Sequence, residues 1–174
     1  MLYSVPPFRL RQTLWKPVVN FTVGAVPVLI VSAFAGASFT RVLVLVVVIG
    51  TTTAVNSLWE DLADYTPDLE NGARTIPIVL GPGRGLLLTI ALGYALVPLM
   101  FLVGVMFGLP LIFYIILFGL TAFVSMRLWF SRMILGSGEV NRLLALGKVL
   151  AKDFVVVAIV QTLNLMLNGY LTAR

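Results

Sequence analysis

Apolar residues run through this chain in long blocks, not in the alternation of a half-buried strand or the narrow stripe of a surface helix. A bilayer is crossed by about 20 apolar residues in a helix, and five blocks qualify: residues 17–36, 40–60, 84–107, 109–131 and 146–170. The pattern predicts an all-α fold, a polytopic membrane helix bundle of about five transmembrane helices forming a single integral membrane domain over residues 1–174. Ala35-Gly-Ala-Ser and Phe107-Gly-Leu-Pro are too short for anything but tight antiparallel hairpins. Long connections are expected at the polar stretch Asn56 to Gly81 and from Ser131 to Arg142. Residues 1–16 carry Pro6, Pro7, Arg9, Arg11 and Lys16 and read as an interfacial lead-in. Their Pro- and Arg-bearing character is unlike the basic start and apolar core of a cleavable signal peptide.

Polar residues interrupt the apolar blocks at helical spacing. Thr52, Asn56, Glu60 and Asp64 descend one face of the second helix, and Asp153, Gln161, Asn164 and Asn168 mark the last one, with Val157 between them. Interhelical hydrogen bonding accounts for the last stripe. The stripe on the second helix runs into carboxylates and reads as functional. Gly93 and Pro98 are expected to kink the third helix. Trp15, Trp59 and Trp129 fall near expected cytoplasmic helix ends, where aromatic belts sit.

The basic residues orient the bundle. Placing the N-terminus, the polar stretch and the 131–148 region on one side collects Arg9, Arg11, Lys16, Arg74, Arg84, Arg127, Arg132, Arg142, Lys148 and Lys152 there, and leaves Arg41 and Arg174 opposite. All seven acids fall on the richer side. Basic loops face the cytoplasm, so the expected location is the inner or cytoplasmic membrane with the polar stretch on the cytoplasmic side. The sequence pI of about 10 then reflects loop charge and not a nucleic-acid partner.

Composition narrows the chemistry. Hydrophobic residues make up 60% of the chain and charged ones 11%, which excludes an ordinary soluble domain. The absence of cysteine removes disulfides, thiolate nucleophiles and iron–sulfur ligation. The absence of histidine removes the usual general base and the usual zinc or haem ligand.

Five of the seven acids lie between Glu60 and Glu70. Asp61, Asp64 and Asp68 are three and then four residues apart, so a continuous helix would place them on one face. Pro67 argues against continuity; the expected geometry is a helix ending near Tyr65 and a new turn at Pro67 capped by Thr66. Converging carboxylates call for a cation. With oxygen ligands alone, Mg²⁺ fits, taking one or two carboxylates together with phosphate oxygens. Gly72, Arg74 and Thr75 then offer a flexible turn, a fixed cation and a hydroxyl suited to an anionic phosphate. A solvated acidic loop paired with arginines is the plainer alternative.

The run D-x-x-D-x-x-x-D-x-x-x-G-x-R-T-x-P-x-x-L-G, from Asp61 to Gly81, closely resembles the second aspartate-rich motif of the UbiA superfamily of intramembrane prenyltransferases. The opening Tyr3 to Arg11, YSVPPFRLR, looks like the segment preceding that family's fifth transmembrane helix. The resemblance implies the C-terminal portion of a nine-helix bundle, without the N-terminal helices and the first aspartate motif. It implies Mg²⁺ as cofactor and a prenyl diphosphate as substrate, whose allylic carbocation alkylates a lipophilic acceptor. By this resemblance Asp64 and Asp68 bind metal with Asp61 beside them, and Tyr3, Arg9, Arg11, Asn56 and Arg74 contact the diphosphate.

Two departures bear on catalysis. Outside residues 60–70 the only acids are Glu139 and Asp153, and Glu60 stands where many family members carry a basic residue. Three readings stay open: a prenyltransferase or its C-terminal part, incomplete alone; a non-catalytic descendant that scaffolds or binds lipid or quinone in a larger respiratory or photosynthetic complex; and a small transporter or channel. Expected partners are membrane lipid, an isoprenoid diphosphate or lipid, and other membrane subunits or a second copy.

Overall fold

A computed structural model describes residues 10–36 and 38–172, the side chain of Arg11 excepted. Every long element among them is helical. A single 3₁₀ turn, Leu10–Gln12, leads into α1 (Lys16–Phe34), followed by α2 (Phe39–Ala63), two short helices α3 (Tyr65–Glu70) and α4 (Ile76–Leu80), then α5 (Pro82–Phe107), α6 (Leu111–Ser137) and α7 (Val140–Thr172). The all-α polytopic bundle is as expected. Four helices, α1, α2, α5 and α6, are long and apolar enough to cross a bilayer. The fifth expected crossing, 146–170, is helical throughout as part of α7 but is interrupted by Lys148, Lys152, Asp153, Gln161, Asn164 and Asn168.

Small residues let α1 and α2 lie against each other as an antiparallel hairpin. A Cβ on Gly24 would stand 2.5 Å from Thr53 Oγ1, and one on Gly50 would stand 2.7 Å from the Phe21 ring. Close approach through small side chains is how helices associate where the surroundings are as apolar as they are. The Thr53 hydroxyl donates across the interface to the Asn20 carbonyl at 2.8 Å. Gly36 at φ 61° makes the reversal between the two helices, a conformation that glycine alone adopts freely.

Three elements depart from the sequence expectation, each for a local reason. The helix break falls at Asp64, not at Tyr65 or Thr66: Asp64 closes α2 and opens α3, with φ −97° and ψ 13°. The Pro67 ring collides with the carbonyl four residues back in a continuous helix. That carbonyl belongs to Ala63, where α2 ends. The second departure is the connection from Ser131 to Arg142, which is almost entirely helical. Its turn is confined to Gly138, in the left-handed conformation at φ 69°, and Glu139. Met133, Ile134 and Leu135 continue the apolar pattern of α6, so the helix stops only where glycine permits reversal. Third, Trp59 is not a belt residue. It is 5% exposed in a core with Val55, Leu62, Leu86 and Leu146, while Trp15 and Trp129 are exposed as a belt requires.

That core joins α2, α5 and α7 beneath the acidic stretch and fixes the level at which α3 begins. On the far side of the stretch α4 is clamped to α5. A Cβ on Gly85 would stand 2.8 Å from the Pro77 Cα, so these backbones are in direct contact.

Candidate functional site

The acidic stretch folds as a helix end, a one-turn helix and a second one-turn helix. It splits the three aspartates. Asp61, on the last turn of α2, is 1% exposed. Its Oδ1 accepts from Lys16 Nζ at 2.6 Å, and its Oδ2 is buried with no hydrogen-bond partner among the described residues. Asp64 is exposed at the α2–α3 junction, and Asp68 is half-buried one turn further along α3. The backbone N–H of Asp68 donates to the Asp64 carbonyl at 2.9 Å, which stacks the two residues on consecutive turns. Among the described residues no group of three or more carboxylates converges closely enough to hold a metal ion. The cation expected among the aspartates is, for Asp61, a lysine.

Lys16 is the site residue that sequence reasoning missed. It was legible only as one basic residue of the lead-in. The structure buries it at the start of α1, bonded to Asp61 and 3.4 Å from Glu60 Oε2. Glu60 Oε1 in turn accepts from Asn56 Nδ2 at 2.8 Å. The acid that departs from the family pattern is thus balanced by a cation from another helix. The available signal was positional: a lone lysine at the head of an apolar run has to find a carboxylate or leave the bilayer.

Arg74 lies exposed on the turn between α3 and α4, and its backbone N–H donates to the Gln12 carbonyl at 2.9 Å. This bond ties the lead-in to the aspartate stretch across 62 positions of sequence, counted as 74 minus 12. Arg11 sits in the same 3₁₀ turn as Gln12. Tyr3 and Arg9 lie outside the described residues. Thr75, read as a phosphate ligand, is fully buried, and its Oγ1 has no partner among the described residues.

The remaining acids are engaged elsewhere. Glu139 pairs with Arg142 at 2.7 Å, and Asp153 on α7 pairs with Arg127 on α6 at 3.0 Å. The stripe on α7 is interhelical in part: Asp153 reaches Arg127 and Asn164 Nδ2 donates to the Phe113 carbonyl of α6 at 3.1 Å, while Gln161 and Asn168 bond to Asn164 within α7.

These features define an integral membrane helix bundle with an acidic helix–turn–helix edge tied to a basic lead-in. The chain belongs to the UbiA prenyltransferase family, whose family model matches residues 1–134. No curated protein and no solved structure matches it. Membership makes it a membrane protein of the prenyltransferase kind, in a family whose members generally use Mg²⁺ with prenyl diphosphates. All of α7 lies beyond the matched residues.

Proposed function

We propose that the edge formed by α3, the following turn and the lead-in binds the diphosphate head of a prenyl diphosphate with Mg²⁺, for transfer of the prenyl group to a lipophilic acceptor. The observation that carries this reading is the Arg74–Gln12 bond. It ties Gln12, which directly follows the N-terminal stretch that resembles a family motif, to the Arg74 turn of the aspartate stretch.

The donor set fits Mg²⁺ in kind and number. Asp64 and Asp68 offer two hard oxygen ligands on consecutive turns, and Mg²⁺ needs only one or two carboxylates when phosphate and water complete its shell. Asp61 does not fit as a direct ligand through Oδ1, which Lys16 occupies. It acts as a positioning residue that locks α1 to the end of α2. Bound Mg²⁺ would neutralise the diphosphate and make it a better leaving group. Arg74, Arg11, Arg9 and Tyr3 contact diphosphate oxygens, and Asn56 acts through Glu60, to which its amide is bonded.

Binding is the direct test. A non-hydrolysable prenyl diphosphate should bind the chain with Mg²⁺ and lose affinity in chelator. Asp64→Asn and Asp68→Asn should each weaken it by about tenfold or more, the scale on which altered ligand shells act. Equal binding with and without chelator would remove the metal site. It would favour the second reading, a non-catalytic subunit that binds lipid or quinone within a larger membrane complex. That reading draws on the absence of a three-carboxylate group among the described residues.

The aspartate edge faces the cytoplasm in this proposal, on the ten-to-two division of basic residues. Cross-helix pairs Lys16–Asp61 and Asn20–Thr53 show that α1 and α2 run antiparallel. Gly36 and Asn71 are therefore separated by one crossing. Reporter fusions at these two positions should report opposite sides, Asn71 cytoplasmic; the same side for both would refute the topology.

A further inference from the structure

We propose that the groove between α2 and α7 holds an acyl chain of an anionic phospholipid whose phosphate is bound by Lys148 and Lys152. The groove is lined by Asn56 of α2 and by Val155, Ala158, Ile159, Thr162 and Leu163 of α7. It lies open along the flank of the bundle, with Ile159 and Leu163 55% and 52% exposed. Its two polar side chains are engaged within their own helices: the Thr162 hydroxyl donates to the Ala158 carbonyl, and the Asn56 amide donates to Glu60. What remains for an occupant is an apolar channel.

The lysines continue the same face of α7. Lys148 and Lys152 precede Val155 and Ile159 by about two turns of helix, so all four share one side. Both lysines are exposed, and neither forms an ion pair among the described residues. Packing fixes their level. A Cβ on Gly147 would stand 3.8 Å from the Leu62 Cβ, and the Phe154 ring lies beside that of Trp59. Lys148 is thus level with the end of α2 that carries Asp64, and Lys152 lies one turn further in. From Lys152 to Thr172 the helix runs about 30 Å, the thickness of a hydrocarbon core. Lysines at that boundary lay their stems along apolar surface and hold their ammonium groups at headgroup level.

Charge selects the occupant. The nearest acids in level are already held: Glu60, exposed on the α2 bank, is 3.4 Å from Lys16 and accepts from Asn56, and Asp153 pairs with Arg127 of α6. Neither neutralises the two lysines, so their counter-charge falls to a headgroup. A headgroup of net negative charge gains more there than a zwitterionic one, whose own cation offsets its phosphate. A transmembrane helix in the groove would press its apolar side against the lysines and desolvate them without a partner. An acyl chain fills the groove and leaves them at the surface. The inference stands apart from the diphosphate reading, since Lys148, Lys152 and the α7 wall lie beyond the matched residues.

The chain has no cysteine, so a single introduced one is labelled cleanly. Ile159→Cys in the groove wall and Phe118→Cys, a position 52% exposed on α6, each carry a bimane on the full chain in phosphatidylcholine nanodiscs. Quenching is followed as brominated phosphatidylglycerol or brominated phosphatidylcholine replaces part of the lipid. At position 159 the phosphatidylglycerol should reach half-maximal quenching at about 10- to 30-fold lower mole fraction, the scale of two basic residues acting on an anionic lipid. At position 118 the two lipids should quench alike. Lys148→Gln with Lys152→Gln should give position 159 the pattern of position 118, with helix content by circular dichroism unchanged. Equal quenching by both lipids at position 159, with the lysines in place, would overturn the proposal. So would a phosphatidylglycerol preference that survives the loss of both lysines. Quenching by neither lipid at position 159, with both active at position 118, would overturn it in favour of protein in the groove.

Discussion

Lys16→Met should lower the stability of the chain by about 3–5 kcal/mol, the cost of breaking a buried ion pair by removing one partner. The size follows from what is left behind. Asp61 is 1% exposed, its Oδ1 is held by Lys16 at 2.6 Å, and Oδ2 already lacks a partner among the described residues. Methionine keeps the apolar stem and removes the ammonium, stranding the carboxylate at the end of α2. The double variant Lys16→Met, Asp61→Leu should recover most of the loss, because a buried pair replaced as a unit by apolar residues costs little. Detergent-solubilised unfolding monitored by circular dichroism checks both. A single variant as stable as the unaltered chain would show that Lys16 and Asp61 do not lock α1 to α2. The same lock bears on function, because α1 is continuous with the lead-in whose Gln12 carbonyl holds the Arg74 turn.

What could be read from sequence, and what could not, follows from the range of each interaction. The helices were legible because bilayer-length apolar blocks depend on composition over 20 or so neighbouring residues. The hairpin at Gly36 and the tight turn at Gly108 were legible for the same local reason. The break at Asp64 was nearly so: Pro67 announced it, but its ring acts on a carbonyl four residues earlier, which places the break upstream of the proline's own turn. The Gly138 reversal was hidden because charged residues around it resembled a loop, while the apolar periodicity through Leu135 kept the helix intact. Lys16 was hidden for a different reason. Its partner lies 45 positions away on another helix, and no spacing rule along one helix can show such a pair. Trp59 was misjudged likewise, since its place near a helix end is local and its burial against Phe154, ring centroids 6.0 Å apart, is tertiary. The amides of α7 were expected to bond between helices; the Asn164–Phe113 bond does so, while Asn168, Asn164 and Gln161 bond to one another within α7. Gln161 Nε2, without an acceptor among the described residues, emerges only when donors and acceptors are counted atom by atom.

The 174-residue chain by itself should transfer no prenyl group above the uncatalysed background, even where it binds a prenyl diphosphate. By family resemblance the reaction uses two aspartate motifs facing each other across a cavity that keeps water from the carbocation. This chain presents one such stretch. Its two acids elsewhere are each held by an arginine, Glu139 by Arg142 and Asp153 by Arg127, and lie on the α6–α7 side of the bundle. Neither is free to complete a metal shell opposite Asp64 and Asp68. The outer faces of α1 and α6 expose large apolar side chains such as Val31, Phe34, Phe130 and Met133, suited to lipid or to more protein. Helices outside these 174 residues are the expected source of carboxylates opposite Asp64 and Asp68. Purified chain in detergent, given Mg²⁺, a prenyl diphosphate and an aromatic acceptor, should yield no prenylated product and should elute as an assembly larger than one chain. Adding a polypeptide that carries an N-D-x-x-D-type motif should restore turnover, and Asp64→Asn should abolish the restored activity. Mg²⁺-dependent turnover by a verified 174-residue monomer would show instead that one aspartate motif suffices, with Asp64 and Asp68 holding all the metal the reaction needs.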